Sequence, residues 1–189
     1  MSEKEKKKFA KVTTPYFRVS FPHVFKAHSA FKDQDPAYSL QMLFPKSADL
    51  TEMKEAVKRV LKEKWPDKEK RPKDLRSPFR DGDEKDLDEY KGMTYVNAKS
   101  KMRPGIVDKD RQEIIDPQEF YAGCWARATL SVYAYDFAGN RGAGFGLQNL
   151  QFVKDDKSFS GKKNAKDDFE MIDSFEDEDK SEDIDDDDF

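Results

Sequence analysis

The stretch CWARATLSVYAYDF, residues 124–137, alternates from end to end. Cys124, Ala126, Ala128, Leu130, Val132 and Ala134 share one side, while Trp125, Arg127, Thr129, Ser131, Tyr133, Tyr135 and Phe137 share the other. A period of two is that of an extended chain whose successive side chains point to opposite faces. The segment therefore predicts a long β-strand. Gly139-Asn140-Arg141-Gly142 supplies a turn, and GFGLQNLQFVK (144–154) a return strand. Gly144 and Gly146 in that return strand suit a tightly bent barrel wall. The small apolar side fits the crowded interior of a narrow barrel, which would leave three aromatics and an arginine outside. The opposite assignment, with the aromatics in the core and the alanines outside, is also open, because large aromatics are usually buried at least in part.

Working outward, VTTPYFRVSF (12–21) has strand composition, with Phe17, Val19 and Phe21 on one face and Tyr16, Arg18 and Ser20 on the other. Pro15 delays that strand or places it at an edge. PHVFKAHSAFKDQDPA (22–37) reads as a loop and YSLQMLFPK (38–46) as a second strand. Leu50, Met53, Val57, Val60 and Leu61 then recur at helical spacing, with Ser47 or Asp49 to cap the start and Pro66 to end the helix. Residues 67–91 are charged and irregular, with Pro72, Pro78 and Gly82, and read as a long loop. MTYVNAKSKM (93–102) restores strand signals, and Ile106 and Val107 follow a turn at residues 103–105 into a hairpin. Five or six strands with one helix between early strands predict a mainly β chain folded as a small OB-fold-like barrel. Its expected parts are a disordered basic arm at residues 1–8, a folded domain at 9–154, and a linker with a disordered acidic tail at 155–189.

Charge is distributed unevenly along the chain. Of the net −4, residues 167–189 carry −13, from 14 Asp/Glu and one Lys, and the residues before them carry +9. A basic body calls for a polyanion, and the acidic tail imitates one. Charged residues, at 39%, outnumber the hydrophobic 36%, so part of the chain is not expected to enter a core. The single cysteine, Cys124, rules out an intramolecular disulfide and points to a reducing compartment. The N-terminal sequence MSEKEKKKFAK has no apolar stretch of the signal-peptide kind, and no apolar run approaches the roughly 20 residues of a membrane span. A soluble, cytoplasmic protein with no membrane partner is the expectation.

Catalytic signals are weak. His23 and His28 lie in HVFKAH without the glutamate of a zinc-protease helix, GNRGAGFG lacks the ending of a phosphate loop, and Cys124 sits on an apolar strand face. No cofactor, metal site or enzymatic activity is expected. A metal-dependent nuclease is disfavoured because no carboxylate cluster sits on a short strand.

Exposed aromatics beside cations suit single-stranded nucleic acid, whose bases stack on rings while basic side chains follow the phosphates. On that ground Tyr133, Tyr135, Phe137 and Arg127 are candidate DNA contacts. Tyr95, Lys99, Lys101 and Arg103 share a parity on another strand and join them, with Arg18 a weaker member. Lys54, Lys58, Arg59, Lys62 and Lys64 on the helix are either an ordinary solvated face or a guide for phosphates.

Several segments together resemble the phage-encoded single-stranded DNA-binding proteins that have an OB-fold and an acidic tail ending in an aromatic residue. They are RVSFPHVF (18–25), DPQEFYAGCWARATLSVYAYD (116–136), GFGLQNLQFVK (144–154) and the closing DIDDDDF (183–189). The charged loop at 67–91 has no counterpart in the resemblance. The resemblance implies a non-enzymatic protein that coats ssDNA in phage replication, recombination and repair within the host cytoplasm. It also implies a tail that recruits polymerase, helicase or recombinase partners through Asp185, Asp186, Asp187, Asp188 and Phe189 while competing with DNA for the basic body. Homodimerisation and RNA binding are left open. The alternative is an interaction or assembly protein whose acidic tail is a partner-binding peptide.

Overall fold

The computed structural model describes residues 10–161 and 169–172. The basic arm at 1–8 and the partner-binding expectation on Asp185, Asp186, Asp187, Asp188 and Phe189 lie outside the described residues.

Among the described residues, eight strands and one α-helix follow in the order β1 (Ala10–Thr13), β2 (Phe17–His28), β3 (Ala37–Pro45), α1 (Thr51–Lys64), β4 (Phe79–Asp81), β5 (Met93–Ser100), β6 (Gly105–Val107), β7 (Trp125–Phe137) and β8 (Asn140–Lys154). Neighbouring strands β2, β3, β5, β8 and β7 close into a ring, because β7 pairs with both β8 and β2. This is the expected OB-like barrel. β1 continues the β7 edge beyond β2, β6 continues the β8 edge beyond β5, and β4 lies along β5.

The first expected strand is split at Pro15, which has no N–H for a ladder. Thr14 bridges the gap: its N–H donates to the Ala128 carbonyl, and its hydroxyl accepts from the Ala128 N–H. β2 extends through His28, into residues expected to be loop. Ser20 pairs with Gln41 and His23 with Ser39, so one extra β2 residue is accommodated at Phe21 and Pro22, where Phe21 has a φ of 43°. That bulge breaks the period of two and hides the strand from a pattern reading.

The helix is where the spacing predicts it. Met53, Ala56, Val57 and Val60 are buried, and the helix packs on β1, β7 and β8 over the barrel core. Asp49, rather than Ser47, accepts from the Thr51 N–H at its start. No described helix is long and apolar enough to cross a membrane.

The segment 67–91 is more structured than its composition suggests. Arg76 bridges to Gly142, β4 pairs with β5, and two 3-10 turns deliver Tyr90 to a second apolar cluster with Leu43 and Tyr95 outside the ring. Ile106 and Val107 do turn back, through a Val107–Glu113 bridge, but their main partner is β8, in parallel. Residues 155–161, expected as linker, fold back across the barrel wall through hydrogen bonds to Arg18, Tyr121, Ala122 and Trp125.

Candidate nucleic-acid interface

The β7–β8 hairpin decides which side of residues 124–137 meets solvent. Cys124, Ala126, Ala128, Leu130 and Val132 are buried in the ring, so the aromatic side faces out. The turn is Ala138-Gly139, both with positive φ (50° and 79°), the two-residue geometry whose twist matches the strands it joins. This is two residues earlier than the glycine spacing predicts, because Ala138 takes a conformation usually reserved for Gly or Asn.

Across the hairpin Tyr133 stands opposite Gly144, and Tyr135 opposite Gly142. A Cβ on Gly144 would lie 2.8 Å from the Tyr133 hydroxyl oxygen and 2.9 Å from its Cζ. One on Gly142 would lie 3.0 Å from the Tyr135 hydroxyl and would collide with the Arg76 carbonyl. The two glycines therefore form a shelf on which the phenol rings lie across the neighbouring strand. The rings are 6.4 Å apart and tilted by 53°, so they do not stack on each other. Tyr133 remains 40% exposed, and Phe137, at the hairpin tip, 78%. Burial, then Tyr135, pushes the Tyr133 phenol above its ordinary pKa, so it stays neutral at physiological pH.

Cations flank this shelf. The register runs Lys11–Ser131–Gly146–Lys99–Ser39 across five strands. Lys11 and Lys99 are both exposed and stand three strand spacings apart, about 14 Å along the sheet. Lys11, Ser131, Tyr133 and Gln148 line a shallow depression of about 330 Å³. Asn97, two residues before Lys99, is exposed beside Gln41.

Five expected site residues lie away from the shelf. Tyr95 is covered rather than exposed: it is only 6% exposed, edge-on to Tyr90 at 5.4 Å, under the segment that follows β4. The Tyr90 hydroxyl shares a 2.9 Å hydrogen bond with Ser20 and donates to Gln41, which pins that cover. Parity put Tyr95 on the correct face, but that face is roofed at its position. Arg18 is engaged within the chain. Its Nε donates to the Gly123 carbonyl at 3.0 Å, its Nη2 to the Lys157 carbonyl at 2.8 Å, and its guanidinium lies over the Phe159 ring. In this structure its guanidinium is held by the chain's own carbonyls and by Phe159. Arg127 is exposed and donates to Gln151, but it stands six residues from Tyr133, about 20 Å along the strand. Near that end a cavity of about 560 Å³ is lined by Asp108, Glu113, Asp116, Glu119 and Asp155, a field that repels phosphate. Lys101 and Arg103 are exposed at the β5–β6 turn, where Arg103 lies over Phe25 at 5.9 Å.

Lys11 and Gln148 are the residues that pattern reading missed. Lys11 alternates with buried Val12, but only the β1–β7 register brings it beside Tyr133. Burial pushes the Cys124 thiol up to about 12, which keeps it protonated and unreactive.

The family model of the Enterobacter phage Enc34 ssDNA-binding protein matches residues 10–184. The chain belongs to the Enc34 ssDNA-binding protein family. Protein p50 of Acyrthosiphon pisum secondary endosymbiont phage 1 is 32% identical over 154 residues, covering 76% of this chain and 83% of that protein. The single-stranded DNA-binding protein of bacteriophage Enc34, solved in complex with ssDNA, superposes with a TM-score of 0.68 at 25% identity, covering 79% of this chain and 89% of that one. The bacteriophage T7 single-stranded DNA-binding protein gp2.5 shares the fold at a TM-score of 0.57 and 14% identity, covering 82% of this chain and 97% of its own. The Enc34 protein shares the barrel, and in this chain the glycine shelf with its lysines lies on its outward surface.

Proposed function

We propose that this chain binds single-stranded DNA without sequence preference and coats it during phage replication, recombination and repair in the host cytoplasm. The observation that carries the reading is the pair Tyr133 and Tyr135 laid over Gly144 and Gly142 with Lys11 and Lys99 on either side. Stacking serves any base, because every base has a π-face, at about 1–3 kcal/mol per base. Phe137 extends the row, and Lys11, Lys99, Lys101 and Arg103 follow the phosphates. The Enc34 protein's complex with ssDNA supports transferring that ligand to this chain. Residues 9–154 would be the binding domain. The exposure of Tyr133 and Phe137 favours this reading over an assembly protein with a closed aromatic face. Titration with oligo-dT and with duplex of equal length at low salt tests it. Tighter binding to the single strand is expected, and equal affinities would overturn the proposal.

The shelf makes a sharper prediction. Gly144→Ala meets the outer end of a movable tyrosine, so it should displace the Tyr133 ring and weaken oligo-dT binding with little loss of stability. Gly142→Ala meets a backbone carbonyl that cannot move away, so it should lower the urea midpoint. The two titrations and two unfolding curves check the contrast.

In the same reading the acidic tail competes with DNA, and Asp185, Asp186, Asp187, Asp188 and Phe189 form the recruitment hook for replication partners. A tail of net −13 tethered to a body of net +9 is present at a high effective concentration. Deleting residues 167–189 should tighten oligo-dT binding by about tenfold at low salt, with the gain shrinking as ionic strength rises. Unchanged affinity in the deletion would argue against competition.

A further inference from the structure

After β8 the chain turns back over the barrel as a strap. Tyr121 donates its hydroxyl to Asp155 at 2.8 Å, and the Trp125 indole N–H donates to Asp156 at 2.8 Å. Arg18 donates to the Lys157 carbonyl and pairs with Asp156 at 3.6 Å, while the Phe159 N–H donates to the Ala122 carbonyl at 3.0 Å. These contacts deliver Phe159 to the outer cluster of Leu43, Tyr90 and Tyr95, with the Arg18 guanidinium 4.4 Å above its ring. Lys85 lies 5.3 Å and 5.0 Å from the rings of Tyr90 and Tyr95. A planar ring held under a guanidinium, on an aromatic floor with a cation at the rim, is how proteins hold an unpaired base.

We infer that this slot is a nucleobase subsite, closed in the free protein by the chain's own Phe159, and that single-stranded DNA evicts the strap. The inference rests on the ssDNA-binding reading above. The slot lies on the path a bound strand would take. Tyr95, Asn97 and Lys99 share one face of β5, opposite Leu43, Gln41 and Ser39, so the slot and the exposed Lys99 are ends of one strip about 13 Å long. The strap is held mainly by polar contacts from its exposed residues Asp155, Asp156 and Lys157 to half-buried barrel side chains, which open at low cost compared with a core strand. Eviction releases Arg18 from the Lys157 carbonyl and from Asp156, which frees a planar cation to stack on a base or fork to a phosphate. The strap also leads into residues 167–189, so DNA that opens the slot frees the root of the acidic tail from the barrel. The coupling is reciprocal: whatever loosens the strap tightens DNA binding by the same factor.

Hydrogen exchange on the full chain with and without oligo-dT tests this. Amides of β7 and β8 around Tyr133 and Gly144 should be protected, while those of residues 157–160 exchange about tenfold faster. Protection on the hairpin with strap amides slowed or unchanged would overturn the eviction and leave the ssDNA reading standing. Protection nowhere would overturn both. Phe159→Ala gives an independent measure, because a slot already open needs no eviction. Oligo-dT affinity should rise about threefold or more, and an unchanged or weaker affinity counts against the subsite.

Discussion

Replacing Tyr133 and Tyr135 together with alanine is expected to weaken oligo-dT binding by about 2–6 kcal/mol, a loss of roughly thirtyfold to more than ten-thousandfold. The two losses should come close to adding, because the rings stand 6.4 Å apart at 53° and so serve different bases. The fold should survive. Both side chains project outward, and opposite them stand glycines, so truncation uncovers backbone rather than a cavity in the ring. Urea unfolding should therefore shift little while the fluorescence titration collapses. A double variant that keeps its affinity within about threefold of the parent would remove the shelf from the site, since even one lost stack is worth more than that.

The strength of this prediction reflects what the chain makes legible. Residues 124–137 are readable as a strand because their two faces are distinctive, while which face turns inward is open until the ring buries the small apolar side. The glycines at 142 and 144 carry the same two-residue spacing as Tyr133 and Tyr135, so the shelf is implicit in the sequence once the hairpin register is known. Other features were not legible, for identifiable reasons. The bulge at Phe21 and Pro22 shifts the register and disguises the second half of β2 as loop. β4 is three residues long and has no period of its own. Alternation says which face Tyr95 occupies, but its cover comes from Tyr90 through a hydrogen bond to Ser20, 70 residues away in sequence. Arg18 looks like a free cation until residues 155–159 are folded back onto it. Lys11 becomes a site residue only through the pairing of β1 with β7. In each case the missing information is long-range contact, which no local pattern holds.

Phe145→Ala should have the largest effect on stability, about 3–5 kcal/mol, from a total that for single domains is about 5–15 kcal/mol. The barrel has a weak seam. β5 and β8 close the ring through a short parallel ladder in which Ala98 faces Phe145 and Lys99 faces Gly146. Phe145 is 1% exposed at that seam, lies opposite Val132 on β7, and meets Phe79 of β4 edge-on at 5.8 Å. It therefore holds three strands together, and its neighbours cannot collapse into the space it would leave. Beside it inside the ring stand Ala98, Leu130 and Val132, too short to fill the space a benzyl group leaves. The urea midpoint should fall with little change in slope. Oligo-dT should restore part of the loss, because a ligand that binds only the folded chain stabilises it in proportion to its saturation. The variant thus differs from the tyrosine pair in a measurable way: DNA rescues the folding of Phe145→Ala, whereas the tyrosine pair keeps its folding and loses the DNA. A cost below about 1 kcal/mol would mean that the ring does not depend on this seam, and that β7 and β8 hold their hairpin, shelf included, without β5.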